Sequence, residues 1–140
     1  MIGAWDVFDL NTPDGTLTFG TPQWDARFTA ALARGIATLR GAGSKVALSL
    51  LPCYRPVRKS AGFWPERGDD DRTRHVNTLL RAAVQPDAVY ALEPPAQFCT
   101  NEVIAADLTY RWDGVHYYRP GAALYFRAVI PQLQKIAKPG

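Results

Sequence analysis

An aspartate and a histidine lie three residues apart in the stretch Arg111-Trp112-Asp113-Gly114-Val115-His116-Tyr117-Tyr118-Arg119-Pro120-Gly121-Ala122. A carboxylate at Asp113 that accepts one ring N–H of His116 would hold the imidazole in a single tautomer. The other nitrogen would then be free to take a proton. This is acid–base chemistry, and it has a use only beside a nucleophile. The competing reading is that Asp113 caps a turn and His116 is a packed or surface histidine. The turn glycine between them and the helix start after them favour the pair, because flanking context gives such a motif its weight.

The other residues able to do chemistry are few. Two cysteines, Cys53 and Cys99, are too few for a Cys-rich zinc site, and neither histidine is spaced near them, so no metal is expected. If they pair, closing that long loop is worth roughly 4 kcal/mol in the chain-entropy model. In a reducing compartment they would be free thiols, and composition does not decide between the two. The run Asp69-Asp70-Asp71 reads as the acidic first turn of a helix, not a metal cluster, because neighbours on a helix point in different directions. His75 falls on that helix and is expected to face solvent. The serines are Ser44, Ser49 and Ser60. None stands at a strand-to-helix turn that would expose a nucleophile, so none is assigned.

The chain has 140 residues, of which 47% are hydrophobic, enough to build one ordinary domain with a core. The formal charge of +3 is small and dispersed, with Arg55, Arg58 and Lys59 as its one local cluster, so a nucleic-acid partner is not expected. No apolar run approaches the ~20 residues of a membrane helix, and the first residues carry no signal-peptide pattern. There is no Gly-rich loop between a strand and a helix and no Walker sequence, so no cofactor is expected.

The elements that must position the pair follow from periodicity. Ile2 to Phe8 reads as a short buried strand. Asn11-Thr12-Pro13-Asp14-Gly15 is turn chemistry, followed by a brief extended piece, Thr16 to Phe19. Thr21-Pro22 opens a helix whose apolar stripe is Phe28, Leu32, Ile36 and Leu39, ended by Gly41 and Gly43. Lys45 to Leu51 is a continuous apolar strand of the kind covered on both faces. Residues 52–68 form a long irregular segment, either functional or plain surface. A helix after Asp69 carries Val76, Leu79, Leu80 and Ala83 on one side. Asp87 to Glu93 is a third strand. Pro120 begins a last helix with Ala122, Phe126, Val129, Ile130, Leu133 and Ile136 as its apolar face, kinked at Pro131. Strand alternating with helix predicts an α/β fold: a three-layer, flavodoxin-like parallel sheet of about three strands, with helices on both faces.

Asp113-Gly114-Val115-His116 with the Tyr-Tyr-Arg-Pro-Gly-Ala that follows resembles the last block of the SGNH (GDSL-type) hydrolases, in which an Asp-x-x-His serves a serine triad. Gly3-Ala4-Trp5-Asp6-Val7, Leu51-Pro52-Cys53-Tyr54 and Phe98-Cys99-Thr100 are similar to segments of SGNH domains fused to actinobacterial membrane O-acyltransferases. The resemblance implies a single partial domain over residues 1–140, lacking the first two strands and the Gly-Asp-Ser nucleophile segment. It implies an esterase or O-acyltransferase, inactive alone, for acyl esters of cell-envelope carbohydrate or lipid. His116 would be the base and Asp113 its orienting acid. Trp5 aligns with the family's oxyanion-hole asparagine, and a lost oxyanion donor costs roughly 3 kcal/mol of barrier. Trp5, Tyr54, Arg111 and Trp112 are expected to line the substrate site, with packing as the competing role. The resemblance implies an extracytoplasmic setting, in which Cys53 and Cys99 could pair. With two strands missing, the edge near residues 2–8 is expected to accept a second copy or a complementing chain. A non-catalytic binding module derived from such a domain is the alternative.

Overall fold

A computed structural model describes residues 3–55, 64–107 and 109–138. Its order is β1 (Leu10–Thr12), β2 (Gly15–Leu17), α1 (Pro22–Arg40), β3 (Val46–Ser49), α2 (Pro65–Gly68), α3 (Asp70–Ala82), β4 (Val89–Leu92), α4 (Gln97–Thr100), α5 (Glu102–Ala106) and α6 (Arg119–Ala137). The fold is mixed α/β. β1 and β2 form a small antiparallel hairpin, and β3 and β4 pair in parallel with Val46 opposite Val89 and Ser49 opposite Leu92.

Helices lie on both faces of the parallel pair. Val46 and Leu48 point to one face and join the core with Phe28, Leu32 and Ile36 of α1 and Val76 and Leu80 of α3. Ser49 points to the other face, where its hydroxyl bonds the Tyr125 hydroxyl of α6. The helix starts are those written in the sequence. The Thr21 side chain accepts the Trp24 N–H with Pro22 in the first turn, and the Asp69 side chain accepts the N–H groups of Asp71 and Arg72. Among the described residues no helix is long and apolar enough to cross a membrane.

Several expectations need correction. Residues 3–8 are not a strand but a turn. Gly3 has φ +153, the Asp6 N–H donates to the Gly3 carbonyl at 2.9 Å, and the Asp6 carboxylate accepts the Gly3 N–H at 2.5 Å. An aspartate that satisfies the backbone locally offers an alternative to a ladder, so an apolar run alone does not make a strand. The described parallel sheet therefore has two strands, and its edges belong to β3 and β4 rather than to the stretch that begins the chain. The apolar face assigned to α6 is only partly covered: Val129 is buried, whereas Phe126, Ile130 and Leu133 are exposed. α6 carries Pro131 inside its span, where the proline supplies no N–H to the carbonyl four residues earlier. Leu39, expected on the α1 stripe, is also exposed, and Trp24 takes the buried place at the helix start. Arg58, Lys59 and Ser60 of the long segment, and Ile2, lie outside the described residues.

Candidate functional site: an aspartate–histidine pair on a braced loop

Asp113 and His116 sit at the tip of a tight loop whose two arms are tied together. Arg111 and Tyr117 face each other in an antiparallel bridge. The Tyr118 N–H donates to the Tyr110 carbonyl at 2.9 Å and the Trp112 N–H to the His116 carbonyl at 3.3 Å. Gly114 turns the chain at φ +82, a conformation that costs a glycine little. The loop lies beyond the carboxyl ends of β3 and β4, since Arg111 reaches the carbonyl of Cys53 in the segment that follows β3.

The two oxygens of Asp113 have separate partners. Oδ1 accepts the N–H groups of Val115 at 2.9 Å and His116 at 2.7 Å. Oδ2 lies 2.6 Å from Nδ1 of His116. A carboxylate only accepts, so Nδ1 carries a proton toward it, and Nε2 is the ring nitrogen left without a hydrogen bond to a described residue. Burial of the Asp113 carboxyl pushes its pKa up. The backbone and ring hydrogen bonds from His116, the Val115 N–H and the charge of a protonated imidazole outweigh that, and the net pKa is lowered. The carboxylate thus stays ionised at neutral pH. The His116 side chain is 58% exposed, and the Trp112 indole stacks on its ring at 5.4 Å and 16°.

The remaining expected site residues divide. Trp112 is beside the pair and half exposed. Arg111 and Tyr54 are not available to a substrate. Arg111 is fully buried, with its guanidinium against the rings of Phe98, Tyr117 and Tyr54 at 4.3, 5.0 and 5.2 Å. Tyr54 is buried with it. Burial raises its hydroxyl pKa far above the usual phenol range, and the neighbouring Tyr117 adds to that, against the lowering effect of Arg111 and Arg67. Both are interior braces: Arg111 ties the Cys53 carbonyl and Phe98 to its own loop, and Tyr54 packs under the same guanidinium. Trp5 is 71% exposed but belongs to a different cluster, with Arg67 over its ring at 4.2 Å and Phe8 at 5.9 Å. Trp64 meets Phe8 edge-on, and Arg55 makes a two-pronged bond to Asp70. Cys53 and Cys99 are joined as a disulfide.

No nucleophile is apparent beside the pair among the described residues. Ser49 is committed to Tyr125 under α6, Ser44 is in the turn before β3, and Ser60 lies outside the described residues. Four surface cavities, of about 270 to 450 Å³, are lined without Asp113 or His116. Two features escaped the sequence. His75 does not face solvent alone: its Nε2 lies 2.7 Å from Asp25 Oδ1, joining α3 to α1, and its ring meets Phe19 and Trp24. Arg67 is buried and donates from Nε to the Ala4 carbonyl at 3.0 Å. Both contacts span about fifty residues or more, beyond any local pattern. No family model, no curated protein and no solved structure matches the chain.

Proposed function

We propose that the chain is the acid–base part of a flavodoxin-like, SGNH-type serine esterase or O-acyltransferase domain that acts on acyl esters of cell-envelope carbohydrate or lipid. One observation carries the reading. Asp113 holds Nδ1 of His116 at 2.6 Å, while the side chain is 58% exposed and Nε2 makes no hydrogen bond to a described residue. In this reading Nε2 takes the proton of a serine hydroxyl as the oxygen attacks the acyl carbonyl. Asp113 stabilises the imidazolium, which returns the proton to the departing alcohol and leaves an acyl-enzyme. Water or a second alcohol then accepts the acyl group. In this reading the serine and the oxyanion donors come from outside these 140 residues, and an added strand along β3 would bring them to the carboxyl end of the sheet. The 140-residue chain by itself is then inactive.

The test uses the polypeptide as its gene encodes it, with any in-frame residues upstream of Met1, on p-nitrophenyl acetate and an O-acetylated polysaccharide. The expected result is turnover by the longer product, lost about 10³-fold or more in His116→Ala, and none by the 140 residues alone. Turnover indifferent to His116, or none from any encoded form, would overturn it. The second reading is a binding module without chemistry, favoured by the hydrogen bonds that His116 donates, which go to Asp113 and to no serine among the described residues. It predicts that His116→Ala leaves ligand binding and every biological readout unchanged.

A further inference from the structure

Arg111 carries a buried charge with no carboxylate beside it among the described residues. Its Nη1 donates to the Cys53 carbonyl at 2.6 Å and its Nη2 to the Tyr117 hydroxyl at 3.3 Å, while Nε is buried without a partner. An apolar side chain of similar volume would fill this place without desolvating a cation. Stacking on Phe98, Tyr117 and Tyr54 offsets part of that cost. The guanidinium does what an apolar chain does not: it joins three separate pieces. One is the Cys53 carbonyl. The second is Phe98, the neighbour of Cys99. The third is Tyr117, on the opposite arm of the loop that carries Asp113 and His116 at its tip.

The first two pieces are one half of the disulfide, Cys53, and the chain neighbour of its other half, Phe98. Cys53 is buried, and Cys99 is exposed at α4. We propose that Arg111 is the positioning residue of the Asp113–His116 pair, and that the Cys53–Cys99 bond sets the pair's geometry through it. While the bond is closed, the Cys53 carbonyl and the Phe98 ring are fixed where the guanidinium meets both. A dithiol can open it. One thiolate attacks Sγ of Cys99, the more exposed residue of the two, and Cys53 leaves as a thiolate and takes a proton. The second thiol then closes on the mixed disulfide and releases the Cys99 thiol, so two electrons pass to the cysteines and the dithiol becomes a cyclic disulfide. With the bond open, α4 is no longer held to Cys53, the stack on Arg111 loosens, and the loop loses its brace. The importance of this for catalysis rests on the esterase reading; the coupling itself does not.

The test reads the imidazole N–H protons of the folded 140-residue chain by proton NMR, assigned with His116→Gln. The molecule supplies its own control, because the His75–Asp25 contact joins α1 and α3 through residues outside the Arg111 cluster. On adding dithiothreitol, the His116 Nδ1 proton should exchange about tenfold faster or more, since local opening governs exchange, while the His75 proton is unchanged. Arg111→Met should give the same loss with the disulfide intact. Arg111→Lys, which can still reach the Cys53 carbonyl, should recover part of it. If Arg111→Met does not fold, Tyr117→Phe removes one of the two arginine contacts and should give a smaller change of the same kind. A His116 proton indifferent to reduction, or one that changes only together with that of His75, overturns the proposal. Turnover assays on the longer gene product separate the two ideas: coupling with no esterase activity in that product sinks the functional reading alone, and activity without coupling sinks this one alone.

Discussion

Asp113 does two jobs with one carboxylate, closing the turn through Oδ1 and orienting His116 through Oδ2. In Asp113→Asn the amide oxygen can still close the turn, but an N–H would then face Nδ1 and reverse the tautomer. In the esterase reading kcat should fall about 10⁴-fold with little change in the loop, as a wrong tautomer does in a serine triad; a fall below tenfold would sink the role assigned to Asp113. The same carboxyl has a pH signature. Its folded pKa lies below its unfolded one, so its contribution to stability is full above about pH 4 and fades as pH falls through the folded value. A melting-temperature profile should show that extra acid loss in the wild type and not in Asp113→Asn. Asp6 has the opposite sign. Burial raises its pKa, against the lowering effect of the Gly3 N–H, so the charged form weakens the fold at neutral pH. Asp6→Asn keeps an acceptor for Gly3 and should raise the melting temperature at pH 7, with the gain shrinking as pH approaches 4; a lower melting temperature at pH 7 would refute this. The Asp113–His116 pair was legible in the sequence because its contacts span three residues. For Arg111 and Tyr54 the sequence left a substrate-lining role and packing both open, because what encloses Arg111, the Cys53 carbonyl and the rings of Tyr54 and Phe98 among others, comes from distant segments.

α1 and α3 were legible because their starts are written in single residues, Thr21 with Pro22 and Asp69, ahead of periodic apolar positions. Residues 3–8 were not, because an apolar run reads alike as strand or as a turn folded around one aspartate. The face of α6 was over-assigned for a related reason: periodicity marks which side is apolar and says nothing of what covers it. Two glycines on helices show how context decides the sign of one substitution. Gly121 lies in the first turn of α6, where a Cβ would run into the Tyr110 carbonyl and come within 3.0 Å of the Tyr117 ring. Gly121→Ala should therefore cost about 1–3 kcal/mol by overpacking and should loosen the loop that carries His116. Gly35 is inside α1 with nothing within 4 Å of the added atom. Gly35→Ala should stabilise by about 0.5–1 kcal/mol through helix propensity. Paired urea melts check both, and equal effects at the two sites would show that the close approach at Tyr110 has no energetic weight.

Across the molecule the parallel sheet stops while the helices go on. β3 pairs only with β4 among the described residues, and alternation leaves the N–H groups of Ala47 and Ser49 on its other edge. On one face of that edge α1 overhangs an apolar cavity of about 270 Å³ lined by Phe28, Leu32, Ile36, Leu39, Val46 and Leu48. On the other, α6 presents Phe126, Ile130 and Leu133 to solvent. An edge with apolar helix faces above and below has the shape of a slot for a strand that is apolar on both sides. In the absence of another donor, the strand at hand in solution is that of a second copy. Sedimentation velocity of the 140-residue chain should therefore show mass rising with concentration, and its melting midpoint should rise in parallel. Ala47→Pro removes the outward N–H and leaves the bonds to β4 in place, as proline does on natural edge strands. It should return the chain to a monomer without dismantling the β3–β4 pair. A wild-type monomer at every concentration, melting in one cooperative step, would mean that the two bare helix faces are tolerated as they stand and that the slot has no need of a strand.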